Sequence, residues 1–588
     1  MLRVHRPQLE TEAPGYLVRL GLVFFVVFAA GCAAPAPTLS APGSPPGAAS
    51  PRSAQNQKTL NVVIQREPPV LLLAIRAETS RGGGIPHAFH IAHDYLTVLD
   101  DRGEWVPKLA TAMPSVERGT WQLNADGTMV TRWSIHSGVT WHDGTPFTTA
   151  DLLFAFRVFK DPDLPTRVEE AGRLMATASA PNEHTLEVRW SAPYATATRD
   201  PLLALTPLPR HLLETAYEQD KAEFVNNPRF NTEFIGLGPY RVLRWEPGSH
   251  IEFGRHAEYY RGVPPLSTVI LRFVNDPNSM AASILAGEVD VVLPLGLGVG
   301  AAREIERRWE GTGNQVLYAT SDRFEYLRAQ LRPEYAEPRS GFVQRPVREA
   351  FYRAIDRDLL ASVVADGLAP LADSWVAPAT TRRPRVEGAI PQYSYDPTRA
   401  QALLAEADWV KGPDGVLGHR ESGERFEVLL NSTAGSDTEL KLGSIADNWK
   451  TLGAQPSLYI IPSARVQDAE HRVKLPGVEL ISHGGEGYPE QFLHSRLLAS
   501  AANRWGGRNA NGYVNLAVDE LVDRLAVTIE TDQQVEIERE LLRVVMGGVA
   551  MMPLFWRVDP YLTLKGVRGM RGSVVLEATW NIFEWDRD

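Results

Sequence analysis

Three histidines at intervals of three residues form the group in this sequence that most resembles a metal site. They are His87, His90 and His93, and Asp94 follows them directly. On a helix, His87 and His90 would share a face, and neutral imidazole is a common metal ligand. Because most such groups are polar helix or loop residues, we predict no metal here and keep a metal site as the alternative.

A glycine-rich run gives a second pattern with possible chemistry. Residues 296–300 read GLGVG, follow a predicted strand and precede a predicted helix, as in a dinucleotide-binding turn. We interpret the run as a loop and predict no cofactor.

Catalytic motifs are absent from the sequence. There is no Gly-x-Ser-x-Gly, His-Glu-x-x-His or P-loop pattern. A carboxylate pair could still be drawn from the 71 acidic residues, so a secreted hydrolase stays an alternative. We predict that the protein is not an enzyme.

The single cysteine, Cys32, marks the end of an N-terminal targeting segment. Arginines precede a short apolar run, and Ala29, Ala30 and Gly31 stand directly before the cysteine. This is typical of a secretory signal, and the apolar run is shorter than the ~20 residues of a membrane-spanning helix. The run Ala-Ala-Gly-Cys resembles a bacterial lipobox, whose cysteine carries a diacylglyceryl group. We therefore predict a signal peptide over residues 1–31 and a lipid anchor on Cys32.

Composition limits the remaining possibilities. A chain of 588 residues is too long for one core, and a net charge of −11 argues against nucleic acid as a partner. Residues 33–57 consist largely of Ala, Pro, Ser and Gly and lack the apolar side chains that offset the entropy of ordering. We predict a flexible tether over residues 32–57 and folded sequence from residue 58.

Local patterns alternate between strands and helices. Residues 60–64 and 269–274 have strand composition, and Thr148 with Asp151 forms a capping-box pattern. Further patterns predict one helix that begins at Asp396-Pro397 and ends at Gly412, and one apolar stripe made of Val347, Phe351, Ile355 and Leu359 that ends at Gly367. The fold class is therefore α/β with mixed sheets in more than one lobe.

Five sequence blocks together resemble the family 5 solute-binding proteins, the oligopeptide- and dipeptide-binding components of ABC importers. The blocks occur in family order between about residues 60 and 560. They are residues 135–151 (IHSGVTWHDGTPFTTAD); residues 236–240 (GLGPY) with Trp245 and residues 258–262 (EYYRG); residues 284–290 (ILAGEVD); residues 345–350 (RPVREA) with 354–357 (AIDR); and residues 395–400 (YDPTRA).

The resemblance implies a two-lobed periplasmic-binding-protein fold of the class II type, with hinge-connected lobes around a cleft. Lobe one would comprise residues 58–320 and 556–588, with an inserted subdomain over about residues 99–200. Lobe two would comprise residues 321–555. In peptide-binding relatives the ligand lies extended in the cleft and pairs with protein backbone.

The resemblance also suggests five ligand-binding residues in lobe two. Relatives carry an acidic residue for the ligand ammonium in a loop that matches residues 482–492, where Glu486 takes the acidic position and His483 would form a pocket wall. Arg508 would pair with a ligand carboxylate, and Trp505 and Trp375 would cover apolar ligand parts.

These inferences predict an extracytoplasmic, lipid-anchored subunit of an ABC importer that captures short peptides and delivers them to a membrane permease. A nickel chelate, an opine or an oligosaccharide remains the alternative solute. We expect a monomer, tethered to the outer face of the cell membrane, in the periplasm if the host has an outer membrane.

Overall fold

The computed structural model describes residues 58–72, 85–164, 170–199, 205–435, 437–485, 487–573 and 577–588. The predicted signal peptide, Cys32, the tether and Glu486 lie outside the described residues, so these predictions stay predictions. Among the described residues, no helix has the length and apolar character needed to cross a membrane.

Strands account for much of the described chain. They are β1 Thr59–Ile64, β2 Thr97–Leu99, β3 Trp105–Pro107, β4 Trp121–Leu123, β5 Met129–Ser134, β6 Met175–Asn182, β7 Thr185–Trp190, β8 Tyr240–Glu246, β9 His250–Arg255, β10 Thr268–Phe273, β11 Val291–Val292, β12 Gln315–Ala329, β13 Trp409–Lys411, β14 Leu417–His419, β15 Glu427–Thr433, β16 Gln455–Ile461, β17 Val478–Gly484, β18 Met552–Thr563, β19 Val567–Arg568 and β20 Asp586–Arg587.

Helices lie between these strands. They are α1 Ile85–Ala92, α2 Thr149–Lys160, α3 Glu170–Leu174, α4 Arg210–Gln219, α5 Lys221–Val225, α6 Pro277–Leu285, α7 Val299–Arg308, α8 Arg345–Arg353, α9 Arg357–Ala365, α10 Arg383–Val386, α11 Pro397–Glu406, α12 Thr438–Leu452, α13 Ala469–Lys474, α14 Tyr488–Phe492, α15 Leu516–Val527 and α16 Thr531–Gly547. Short 3-10 turns occupy Pro228–Phe230, Glu387–Ala389, Ser463–Arg465, Ser495–Leu497, Ala501–Asn503 and Ile582–Glu584.

A ten-stranded mixed sheet connects the two halves of the molecule. Its strand order is β16-β15-β17-β12-β18-β11-β1-β10-β9-β8. The long strands β12 and β18 run side by side through its middle, and their register shifts between Thr320 and Phe324. Such an irregularity weakens the ladder locally and allows bending. The predicted lobe boundaries, at residues 320 and 555, lie next to this interruption. They stay predictions, and lobe one and lobe two below refer to the predicted ranges.

A separate four-stranded antiparallel sheet, of order β4-β5-β7-β6, belongs to lobe one. Its apolar face packs with α2 around the buried indoles of Trp133, Trp141 and Trp190. These strands fall within the range predicted for the inserted subdomain.

Each lobe has its own apolar core. One cluster joins α1 and strands β1 and β8–β11 to the C-terminal residues Ala578, Ile582 and Trp585. Two other clusters lie in lobe two, one around α8, α11 and α12 and one around α14–α16. Burial of these apolar side chains helps to offset the conformational entropy that is lost when each lobe becomes ordered.

The local predictions can be compared with these elements. The strands at 60–64 and 269–274 are confirmed, as are the capping box of Thr148 with Asp151 and the Asp396 cap. The predicted single stripe over 347–359 was wrong. The Asp356 carboxylate accepts the Leu359 N–H and starts a new helix, α9, and Leu359 itself is 56% exposed.

The predicted end of the helix at Gly412 was also wrong. α11 ends at Glu406 because Asp408 takes a left-handed backbone conformation, with φ of 62°, and residues 409–411 then form β13. Asp is among the few residue types that adopt this conformation readily.

Candidate functional site

The hairpin of β2 and β3 brings residues 100–104 of lobe one to the edge of a cavity. One Asp100 carboxylate oxygen accepts the backbone N–H groups of Arg102 and Glu104, each at 2.9 Å. Gly103 adopts a φ of 76°, which favours glycine. This arrangement fixes the backbone of the tip and leaves the Arg102 side chain exposed.

A buried ion pair stands at the base of the hairpin. Lys108 follows β3, and its ammonium lies 2.7 Å from the carboxylate of Asp94, which precedes β2. Their residues are 2% and 0% exposed. The hydroxyls of Tyr259 and Tyr260 donate to the second Asp94 oxygen at 2.8 and 3.1 Å. Burial, and then the Asp94 charge, raise the pKa of both tyrosines, so both keep the protons they donate.

The three histidines singled out in the sequence belong to this same region. All three are buried, and the His90 ring lies 2.9 Å from the Glu577 carboxylate. Burial lowers the pKa of His87 to about 4 and that of His93 to about 3, so both are neutral at physiological pH. In the described ranges, no group of three or more His, Cys, Asp or Glu is arranged to hold a metal ion.

The opposite wall of the cavity comes from residues 375–382 of lobe two. Arg383, at the start of α10, forms two hydrogen bonds of 2.7 Å to the Asp373 carboxylate. Burial alone would raise the pKa of Asp373, but this guanidinium lowers it. The bidentate pair holds both ends of the segment together. Arg382 lies beside it, with its guanidinium 3.7 Å from the Glu538 carboxylate.

The back wall combines the interrupted part of β12 with the end of β17. Gly485 donates its N–H to the Asp322 carbonyl at 2.9 Å. A Cβ atom at Gly485 would lie 2.0 Å from the carbonyl oxygen of Trp375, so this close approach requires glycine. The crossing strand is thereby held against lobe two.

Together these walls form a small cavity that is partly open to solvent. The lining residues come from both lobes and from the crossing strand. They are Leu99, Arg102, Gly103, Thr320, Ser321, Asp322, Trp375, Ala377, Pro378, Ala379, Thr380, Arg382 and Gly485. A cavity between lobes, with one aromatic wall and a few charged groups, is suited to holding a small solute.

Several contacts join the two predicted lobes in the described chain, and three of them are polar contacts away from the crossing strands. Beside the cavity, the Thr381 hydroxyl donates to the Glu104 carboxylate at 2.9 Å. The N–H of Ala195 donates to the carbonyl of Ala526 at 2.8 Å, and Arg303 pairs with Asp366 at 2.9 Å. The structure therefore shows the lobes in contact around the cavity.

Three of the predicted site residues lie in or beside one aromatic cluster around α14. Trp375 lines the cavity, is 1% exposed and stacks on Tyr488 at a centroid distance of 6.1 Å. The His483 ring lies 4.2 Å from that of Phe492, and the Arg508 guanidinium lies 5.7 Å from the same phenyl ring. Phe492 stacks in turn on Tyr488.

The other predicted residues are placed differently. Trp505 lies under the Lys474 ammonium, 5.0 Å away, and it contributes nothing to the lining of the cavity. His483 and Arg508 also stand outside that lining. Glu486, between Gly485 and α14, is outside the described residues. Ligand contacts of all five residues stay predictions.

The sequence analysis did not identify two parts of the cavity wall, the β2–β3 hairpin with Arg102 and the lobe-two residue Arg382. Arg102 and Gly103 follow the short apolar stretch Val98-Leu99, and Asp-Arg-Gly is a turn composition that could have been recognised. Arg382 carried no such signal, since its role depends on which segment faces the hairpin across the cavity.

Comparison with known proteins identifies the fold and the family. The family model described as "Bacterial extracellular solute-binding proteins, family 5 Middle" matches residues 104–500. The protein XP55 of Streptomyces lividans is 26% identical over 439 residues, which cover 73% of this chain and 72% of that protein. A probable di/tripeptide-binding protein 5 of Pseudomonas aeruginosa (strain UCBPP-PA14) is 24% identical over 482 residues, covering 78% and 84%.

Solved structures agree on the fold. The oligopeptide-binding protein AppA of Bacillus subtilis, in complex with a nonapeptide, superposes with a TM-score of 0.70 at 18% identity, over 90% of this chain and 99% of that one. NikZ of Campylobacter jejuni, in complex with Ni(L-His), gives 0.72 at 20% identity, over 90% and 100%. The predicted two-lobed α/β fold is confirmed. With the family model matching most of its length, the chain belongs to the family 5 bacterial extracellular solute-binding proteins.

Proposed function

We propose that this protein is the substrate-binding subunit of an ABC importer and that it captures short peptides in the cavity between its lobes. The observation that carries the proposal is the cavity itself, because its walls come from both lobes and its back from the strand that connects them. Support for peptides comes from the relative in Pseudomonas aeruginosa and from the nonapeptide complex of AppA.

The proposed mechanism is a shift between open and closed forms. A solute that contacts both walls binds the closed form better and therefore increases its population. The Glu104–Thr381 hydrogen bond joins the same two walls and forms only when they meet. The closed form would dock on a membrane permease, and the solute would be released without chemical change. The lipid anchor on Cys32 would keep the protein near that permease.

A second solute class has its own support. NikZ shares the fold and holds a nickel–histidine complex, and the lining of the cavity includes the charged residues Arg102, Asp322 and Arg382. A small carboxylate-bearing chelate is therefore the alternative to a peptide.

Native mass spectrometry of protein purified from its host tests the proposal. Ala379 is exposed and lines the cavity, so Ala379→Trp fills the space without disturbing a core. The matched control is Ala405→Trp, an exposed position on α11. We expect co-purified peptides in the wild type and the control and their loss in Ala379→Trp. Equal peptide content in all three would refute the cavity as the binding site.

A further inference from the structure

A second, polar pocket lies wholly within lobe two. Its walls come from β12, α13, β15, the start of β17 and the loops next to them. The lining residues are Arg328, Gln330, Asn431, Arg472, Leu475, Gly477, Glu479, Ala510 and Asn511. The described lining of the interlobe cavity shares no residue with this set. The pocket is therefore a separate site, and what it binds does not depend on the proposed function.

Two arginines and one glutamate give this pocket a net positive charge. The two oxygens of the Glu479 carboxylate accept hydrogen bonds from Arg328 at 2.7 Å and from Arg472 at 2.8 Å. Burial alone would raise the pKa of Glu479, but the two guanidinium groups lower it, so Glu479 is ionised. One negative charge thus balances only one of the two positive charges among the lining residues.

Two buried polar atoms of the pocket have no hydrogen-bond partner in the described chain. One is the side-chain oxygen of Asn431, a residue that is 2% exposed, and the other is the Nε–H of Arg472. The Asn431 amide nitrogen donates to the Val478 carbonyl at 3.2 Å, so the oxygen is the atom left to accept. A buried donor or acceptor costs free energy unless something satisfies it.

Hydrogen bonds hold the walls of the pocket in place. The Gln330 amide donates to the carbonyl oxygens of Val473 and Leu475 at 2.8 and 3.1 Å, which fastens the end of α13 to β12. On the other side, the N–H of Leu331 donates to the carbonyl of Asn511 at 2.9 Å. Because the walls are fixed in advance, a ligand would lose little binding energy in ordering them.

The charge and the two unpaired atoms define the chemistry of a ligand. The unbalanced positive charge favours an anion, and guanidinium N–H groups bind oxyanions with directed hydrogen bonds. The Asn431 oxygen requires a donor, so it favours an anion that carries an O–H group. Sulfate and chloride have no such group at neutral pH.

We propose that this pocket binds one small oxyanion that carries an O–H group, hydrogenphosphate or hydrogencarbonate, and that the bound anion stabilises lobe two. The Arg472 Nε–H would donate to an oxygen of the anion. The anion's own O–H would donate to Asn431.

Calorimetry with four salts tests the proposal. The salts are potassium phosphate, hydrogencarbonate, sulfate and chloride, at neutral pH and equal ionic strength. The proteins are the wild type, freed of small molecules by dialysis, Arg472→Gln and Arg472→Lys. One control is Arg465→Gln, an exposed position seven residues before Arg472 and outside the pocket lining. The other is Ala379→Trp, which fills the interlobe cavity.

We expect hydrogenphosphate or hydrogencarbonate to bind the wild type at one site, about 10-fold or more tightly than sulfate, because sulfate cannot donate to Asn431. Arg472→Gln should weaken this binding about 10- to 100-fold, and Arg472→Lys, which keeps the charge but lacks Nε, should be intermediate. Both controls should bind as the wild type does. The anion should also raise the thermal midpoint, since it binds the folded state. The tighter of the two hydrogen-bearing anions identifies the ligand.

Three results would overturn the proposal. Binding of none of the four anions would mean that the pocket holds water only. Sulfate or chloride binding as tightly as the hydrogen-bearing anions would show that Asn431 selects nothing. Binding that is unchanged in Arg472→Gln would place the anion outside this pocket, and binding that is lost in Ala379→Trp would place it between the lobes.

Discussion

Removing one partner of the buried Asp94–Lys108 ion pair should strongly destabilise lobe one. Replacing Lys108 with Met keeps an unbranched apolar side chain, one heavy atom shorter, but removes the ammonium charge. Asp94 would then be a buried carboxylate without its cation, because its residue is fully buried in the structure. Breaking one side of such a pair typically costs 3–5 kcal/mol.

Two hydrogen bonds to Asp94 place the expected loss of stability at the lower end of this 3–5 kcal/mol range. After the change, Asp94 would still accept hydrogen bonds from Tyr259 and Tyr260 at 2.8 and 3.1 Å. We therefore expect Lys108→Met to lower the free energy of unfolding of lobe one by about 3 kcal/mol. The double variant Lys108→Met/Asp94→Asn leaves no uncompensated charge and should recover a substantial part of that loss.

Urea unfolding followed by tryptophan fluorescence and circular dichroism measures these differences. The control is Arg307→Met, which removes an exposed ion pair with Glu304 and should cost less than about 1 kcal/mol. Since the pair flanks the hairpin that carries Arg102, Lys108→Met should also weaken solute binding. A loss of under 1 kcal/mol, equal to that of the control, would refute the reasoning.

Three further perturbations have defined outcomes. Burial lowers the pKa of His87 to about 4 and that of His93 to about 3, so the unfolded chain binds more protons than the folded one below about pH 6.5. The free energy of unfolding should therefore be constant above that pH and fall by about 2 kcal/mol per histidine by pH 5. A urea midpoint that does not change from pH 7 to pH 5 would contradict this. The Glu479 carboxylate accepts hydrogen bonds from Arg328 at 2.7 Å and from Arg472 at 2.8 Å. Glu479→Gln should therefore lower the free energy of unfolding by about 3–5 kcal/mol. An unchanged thermal midpoint would show that the carboxylate does not stabilise the fold. Gly485→Ala should lower both stability and solute affinity, since its Cβ would meet a carbonyl oxygen at 2.0 Å; calorimetry showing normal affinity would mean that the back wall can shift at no cost.

Much of the fold could be predicted from the sequence because its signals, such as helix caps and family sequence blocks, consist of residues close together in the chain. The capping box at Thr148 and the Asp396 cap are fixed by residues within one helical turn, and both were predicted. The helix break at Asp356 was missed because the apolar spacing continues across it, while the cap at Asp356 competes with that pattern.

The site was harder to predict, since its parts meet only through tertiary structure. Trp375 was placed among the candidates and does line the cavity. Arg102 and Arg382 are 280 positions apart, and no local signal relates them. For His87, His90 and His93 the local spacing suggested a site, but the structure buries all three side chains in lobe one.

Small-angle X-ray scattering most directly tests the claim that a solute is held between two lobes that close on it. The measurement compares ligand-stripped protein, lacking the proposed lipid anchor, with the same protein reloaded with its co-purified solute. We predict a smaller radius of gyration after loading and a profile that matches the closed structure described above. An unchanged radius of gyration at saturating solute would contradict the account.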